Sequence, residues 1–139
     1  MAKEITSEIM INATPEKIWA ILTDFNNYLS WNPFIKSIKG DVQVGNKINV
    51  SLDGMKFKPK VLVYDNCKEF RWIGQLLFPG LFDGEHTFLI FDNGNGTTTF
   101  IQRETFNRIL VPLFHKKLDT DTKCGFDAMN QKLKEEAEK

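Results

Sequence analysis

Residues 85–106 read EHTFLIFDNGNGTTTFIQRETF, and the fold turns on this stretch. His86, Phe88 and Ile90 share one face of its first half, opposite Glu85, Thr87 and Leu89. Phe100, Gln102, Glu104 and Phe106 share one face of its second half, opposite Ile101, Arg103 and Thr105. Between the halves, Asp92-Asn93-Gly94-Asn95-Gly96 is turn chemistry. The pattern predicts two antiparallel strands, over 85–92 and 97–106, with the aromatic faces inward. That orientation carries His86, Gln102 and Glu104 inward too. Pairing Ile90 with Phe100 sets His86 opposite Glu104, and pairing Ile90 with Thr98 sets it opposite Gln102. Either register clusters the three polar groups. A buried carboxylate without a partner is very costly, so Glu104 must be paired, hydrated or protonated.

The same period of two extends outward along the chain. Ile5, Ser7, Ile9 and Ile11 alternate with Thr6, Glu8 and Met10, which predicts a first strand of about ten residues. Further strands are expected over 34–40, 46–53, 56–66 and 68–75, where Phe70 and Trp72 share a face. They are separated by Gly45-Asn46, Asp53-Gly54 and Asp65-Asn66. Seven strands with short links predict an antiparallel meander with one face covered. After the first strand, Thr14 can cap a helix whose first position suits Pro15, with Ile18, Trp19, Ile21 and Leu22 as its apolar face. Asp24 is expected to cap a second short helix through Tyr28 and Leu29, which Trp31-Asn32-Pro33 breaks.

Two segments depart from the strand pattern. Residues 76–84 form an apolar loop, in which Leu77, Phe78, Leu81 and Phe82 must bury themselves. The loop reads as a lid over a cavity mouth, as a loop tucked onto its own domain, or as a dimer contact. From Arg108 to Glu138 the period becomes helical, with Val111, Phe114, Leu118, Thr122, Gly125, Met129 and Leu133 near one stripe. Such a helix would be roughly 42 Å long, too long for a flat sheet of this size. A curved sheet that grips it is the natural partner. The expected class is therefore α+β: a curved antiparallel seven-stranded sheet wrapped around a long C-terminal helix, with two short helices after strand 1.

Composition bounds the remaining possibilities. A chain of 139 residues has the common size of one domain, taken here as 1–139, and needs no disulfide or metal staple. Lys plus Arg and Asp plus Glu number 18 each, so no net field favours nucleic acid or an anionic membrane. Cys67 and Cys124 are too few and too scattered for a disulfide framework or a zinc site, and the two histidines add no metal constellation. The N-terminal MAKEITSEI lacks the apolar core of a signal peptide, and no apolar run reaches the ~18 residues of a membrane span. A cytoplasmic protein without membrane insertion is expected. No GxGxxG or P-loop string points to a nucleotide cofactor. Arg71, Arg103 and Lys58 are placed on the outer face, and His115, beside Lys116 and Lys117, is read as solvent-facing. The 12 Phe and 3 Trp are a heavy aromatic load, fit either for a packed core or for the walls of an apolar ligand site.

The order of elements resembles the helix-grip fold of the START-like (SRPBCC) superfamily. Particular strings resemble its bacterial polyketide cyclase/dehydrase-like branch. They are Thr14-Pro15-Glu16-Lys17-Ile18-Trp19, Leu22-Thr23-Asp24-Phe25, and Tyr28 with Trp31-Asn32-Pro33-Phe34. Phe70-Arg71-Trp72, Gly80-Leu81-Phe82 with Gly84-Glu85-His86 and Phe88, Gly96-Thr97-Thr98, Gln102 with Glu104 and Phe106, and Gly125-Phe126 with Met129-Asn130 are similar to the same branch. Asn107 departs from a common glycine, and Lys56 and Lys58 make one strand unusually basic.

The resemblance implies an internal cavity between sheet and C-terminal helix that binds a small hydrophobic or amphipathic molecule, in a monomer or weak homodimer. Trp31, Phe34, Trp72, Phe78, Phe82 and Phe88 are candidate walls from the first helices, the sheet and the apolar loop. Phe100, Phe114, Leu118, Thr122 and Phe126 are candidates from the last strand and helix. His86, Gln102 and Glu104 would orient a polar head. It also implies an alternative, a cyclase or dehydratase in which His86 and Glu104 transfer protons. A single histidine with no serine or cysteine nucleophile in a recognisable setting favours the binding reading. A further alternative is a co-chaperone-like interaction module, which no motif here selects.

Overall fold

The computed structural model describes residues 2–52, 55–75, 83–107 and 122–139. The chain opens with β1 (Ala2–Ile11), the expected ten residues. α1 (Pro15–Leu22) follows, with Pro15 in its first turn and the Thr14 side chain accepting a hydrogen bond from Lys17 N at 3.2 Å. A 3₁₀ turn (Phe25–Asn27) leads into α2 (Tyr28–Trp31), and the Asp24 side chain makes no cap bond there. Asn32 Oδ1 then accepts from Phe34 N and Ile35 N, both at 2.9 Å, which turns the backbone out of the helix into the sheet.

The remaining strands are β2 (Ile35–Lys39), β3 (Asn49–Leu52), β4 (Met55–Phe57), β5 (Lys60–Asp65), β6 (Glu69–Gln75), β7 (Asp83–Asp92) and β8 (Thr98–Asn107). They form an antiparallel five-stranded sheet ordered β1-β8-β7-β6-β5 and a three-stranded sheet ordered β2-β3-β4. The expectation of one seven-stranded sheet is corrected here. The predicted strand 56–66 is two strands, broken at Lys58-Pro59. Proline has no N–H to give a ladder and restricts the residue before it, so pairing cannot run through. The two sheets stay bridged beside the break. Ile48 N donates to Pro59 O, Val61 N to Asn46 O and Gly45 N to Val61 O, each at 2.9 Å. Register shifts between Ile35 and Ser37 and between Val61 and Val63 mark irregularities of the kind that bend a strand. Lys56 and Lys58 are exposed, which accounts for the basic character of that stretch.

The turn between β7 and β8 holds Gly94 at φ 81° and Gly96 at φ 88°, left-handed values that favour glycine. It closes on Asp92 opposite Thr98, and the register that follows sets Ile90 opposite Phe100 and His86 opposite Glu104. Of the two registers open from the sequence, this is the one adopted.

The last element is α3 (Lys123–Ala137), whose Phe126, Met129, Asn130, Leu133 and Ala137 are buried. It packs chiefly against β1 and also touches α1, α2 and β8. Its C-terminal end is tied to the β1–α1 connection. Glu138 accepts from Asn12 N at 2.8 Å, and Lys134 Nζ donates to Met10 O at 3.1 Å. The N-terminal part of the expected helix, with Val111, Phe114, Leu118 and His115, lies outside the described residues, as do 76–82 of the apolar loop. Asp83 and Gly84, expected in that loop, belong to β7.

α3 approaches Phe34 so closely that only glycine fits at 125. A Cβ there would stand 2.5 Å from Phe34 Cδ1 and 2.6 Å from Cε1. Alanine favours a helix interior by about 1 kcal/mol over glycine, but such overlap costs typically about 1–3 kcal/mol. Gly125→Ala is therefore expected to destabilise the fold despite the better propensity. In denaturant melts, adding Phe34→Leu should restore part of the loss; a simple gain in the single variant would contradict this packing.

Candidate functional site

The inward faces of β1, β6, β7 and β8 meet α3 around one imidazole. On β7, His86 is 2 % exposed and flanked by the inward Phe88 and, across the ladder on β6, by Trp72. Its ring lies 5.2 Å from that of Trp72 with planes 30° apart, 4.4 Å from Phe88, and 5.0 Å edge-on to Phe126 of α3. Phe126 in turn meets Phe34 edge-on at 5.5 Å, and Phe88 stacks with Phe100 at 6.1 Å. These contacts combine cross-strand pairing with ridge packing of the helix, and they seat a polar ring among apolar ones.

Both ring nitrogens have partners. Nδ1 stands 3.3 Å from Glu104 Oε1, directly across the β7–β8 ladder, and Nε2 stands 3.0 Å from Gln102 Oε1. Gln102 is fully buried, and its Nε2 donates to Asn130 Oδ1 at 2.7 Å and to Phe126 O at 3.4 Å. Asn130 Nδ2 donates to Ser7 Oγ at 3.0 Å, and Ser7 donates to Asp127. Asp127 is held from the other side by Lys123 Nζ at 2.7 Å and 2.9 Å. Burial pushes the Asp127 carboxyl up, but the hydrogen bonds from Lys123 and Ser7 and the lysine charge outweigh it and hold it below the usual aspartate range.

Glu104 differs from its neighbours. Its second oxygen, Oε2, is buried and has no hydrogen-bond partner among the described residues. The carboxyl carbon lies beside Gly84, where an added Cβ would come within 3.6 Å of it. Trp31 Nε1 is likewise buried without a partner among the described residues. Unsatisfied buried groups are uncommon in folded proteins and call for an explanation.

The structure thus brings His86, Gln102 and Glu104 together and sets Trp72, Phe88, Phe126 and Phe34 around or next to them. Phe100 continues that layer, Trp31 is packed on Tyr28 at 5.3 Å, and Thr122 is the N-cap residue of α3. Phe78, Phe82, Phe114 and Leu118 lie outside the described residues. Arg71 is paired with Glu69 and, at 3.6 Å, with Glu85, and Arg103 reaches Glu4 at 4.0 Å, all on the outer face. Ser7, Asn130 and Asp127 are members of the polar cluster that the motif reading missed. Ser7 carried a signal, as the one hydroxyl in an otherwise isoleucine face. Asn130, four residues after Phe126, is one helical turn on. Among the described residues no group of three or more His, Cys, Asp or Glu side chains could hold a metal ion, and no helix is long and apolar enough to cross a membrane.

Comparison with known proteins gives the frame a family. No curated protein matches the chain. Protein MLL2253 from Mesorhizobium loti shares the fold at a TM-score of 0.75 and 21% identity, over 96% of this chain and 95% of that one. A START superfamily protein from Mycobacterium smegmatis does so at a TM-score of 0.70 and 20% identity, over 95% and 97%. A norcoclaurine synthase point mutant from Thalictrum flavum, in complex with a transition-state analogue, is similar at a TM-score of 0.72 and 16% identity, over 98% and 96%. A family model described as polyketide cyclase / dehydrase and lipid transport matches residues 2–138. With nearly every residue inside that match, the chain belongs to the family described as polyketide cyclase / dehydrase and lipid transport.

Proposed function

We propose that this protein binds a small hydrophobic or amphipathic molecule between the sheet and the C-terminal helix, with His86, Gln102 and Glu104 holding its polar end. The observation that carries the reading is Glu104 Oε2, a buried carboxyl oxygen beside the aromatic-flanked His86 with no partner among the described residues. A polar group left unpaired in the interior costs on the order of 1–3 kcal/mol. A ligand group that meets it recovers that loss, while the surrounding rings supply apolar contact. Family membership supports the same reading, because its description includes lipid transport.

The expected result is a rise in melting temperature with a member of a panel of fatty acids, steroids and polyaromatic compounds. A ligand at a hundred times its Kd stabilises by about 2.7 kcal/mol, which corresponds to roughly 10 °C for a domain of this size. Unchanged melting curves across the panel would count against binding.

A second reading is favoured by the His86–Glu104 contact at 3.3 Å, a pairing of the kind that general acid–base catalysis uses. The norcoclaurine synthase comparison is consistent with it, since that enzyme uses this fold. In that case His86→Ala and Glu104→Gln would abolish turnover while leaving binding measurable.

A further inference from the structure

The hydrogen-bond chain that begins at the surface has a direction, and that direction sets the polarity of the buried site. Asp127, gripped by Lys123, is a carboxylate, so it only accepts. Ser7 must then give its hydroxyl proton to Asp127, and its oxygen is left to accept from Asn130. That turns Asn130 Oδ1 toward Gln102 Nε2. Phe126 O, another acceptor, requires the same orientation of Gln102. Gln102 Oε1 therefore faces His86, and His86 Nε2 must carry a proton to donate to it.

With Nε2 protonated, the contact of Nδ1 with Glu104 is a hydrogen bond in only two ways. Either Nδ1 is also protonated and Glu104 is a carboxylate, or Glu104 carries the proton on Oε1 and donates it to Nδ1. In both arrangements Oε2 keeps lone pairs and no proton. Both therefore leave a buried hydrogen-bond acceptor that has no donor among the described residues.

We infer that the ligand presents a hydrogen-bond donor, a hydroxyl or amine on an apolar body, to Glu104 Oε2, and that molecules ending in a carboxylate are rejected there. This rests on the proposed interior binding and specifies its ligand class. Anion rejection follows because a ligand carboxylate would bring acceptor against acceptor in a site of low dielectric.

The test is a matched set of bicyclic probes, 2-naphthol, 2-naphthoate and 2-methylnaphthalene, titrated by calorimetry into the full chain at neutral pH. 2-Naphthol should bind about tenfold to a hundredfold more tightly than either of the others. Glu104→Leu should reduce 2-naphthol to the level of 2-methylnaphthalene. Glu104→Gln should keep a weaker preference, since its amide nitrogen can donate to His86 Nδ1 and leave its oxygen in the place of Oε2. Long-range ¹H–¹⁵N spectra of the unliganded protein, with His115→Gln for assignment, should show Nε2 of His86 as a protonated nitrogen; an unprotonated Nε2 would overturn the chain's direction. Equal binding of all three probes, or tighter binding of 2-naphthoate, would overturn the donor inference and leave interior binding standing. Failure of all three, 2-methylnaphthalene included, would remove both.

Discussion

Gln102→Leu is expected to cost about 2–5 kcal/mol, far more than the removal of one hydrogen bond. The amide is fully buried and both its ends are used, by His86 on one side and by Asn130 and Phe126 O on the other. A leucine of similar length fills the space but leaves the His86 N–H and the Asn130 carbonyl unpaired. Each stranded group costs about 1–3 kcal/mol. Equilibrium urea unfolding measures the sum, and a melting-temperature loss of roughly 10 °C should accompany it. Ser7→Ala, further along the same chain, should cost less because it is linked to the exposed Asp127 end. A cost below about 1 kcal/mol for Gln102→Leu would mean that the amide is not the junction of the network.

Phe126→Ala is the second large expected effect, at about 3–5 kcal/mol for a phenylalanine truncated in a core that cannot fully collapse. The ring is fully buried and is the contact between α3 and two layers of the site, Phe34 below it and His86 beside it. An internal control is available on the outer face. Phe91 is 64 % exposed, and Phe91→Ala should change stability by only about 0.5 kcal/mol. The difference between the two variants, read from the same denaturation experiment, reports how much of the fold's stability is anchored at the site. Similar values for both would contradict that placement of the helix.

Much of this architecture could be read from alternation alone. Ile5, Ile9 and Ile11, Phe70 and Trp72, and the faces of 85–92 and 97–106 point where a period of two places them, because one face of each strand is covered and a slip of one residue would expose all of it. Thr14-Pro15 marked a helix start for a local reason, the orphan N–H groups of the first turn. What escaped was non-local or was masked by a strong pattern. Pro59 interrupts a stretch whose alternation otherwise runs unbroken, and the loss of one ladder donor outweighed that pattern. The register of β7 on β8 depended on how two left-handed glycines close a five-residue turn, which composition does not specify. Of the site, His86, Gln102 and Glu104 were legible because polar residues stood in an aromatic series. Their continuation through Asn130 and Ser7 was not, since it requires knowing that α3 lies across β1 and β8. Gly125 belongs to the same class, a small residue whose reason is a ring contributed from ninety residues earlier.

Binding of a molecule inside, against the His86–Gln102–Glu104 cluster, can be read residue by residue. The most direct measurement is the ¹H–¹⁵N spectrum of the protein during titration with 2-naphthol. With binding in the interior, the Trp72 indole N–H, the Gln102 side-chain amide and the backbone amides of His86 and Phe126 shift together and saturably. Shifts confined to the outer face around Arg71, Phe91 and Arg103, with the interior signals unmoved at saturation, would contradict it.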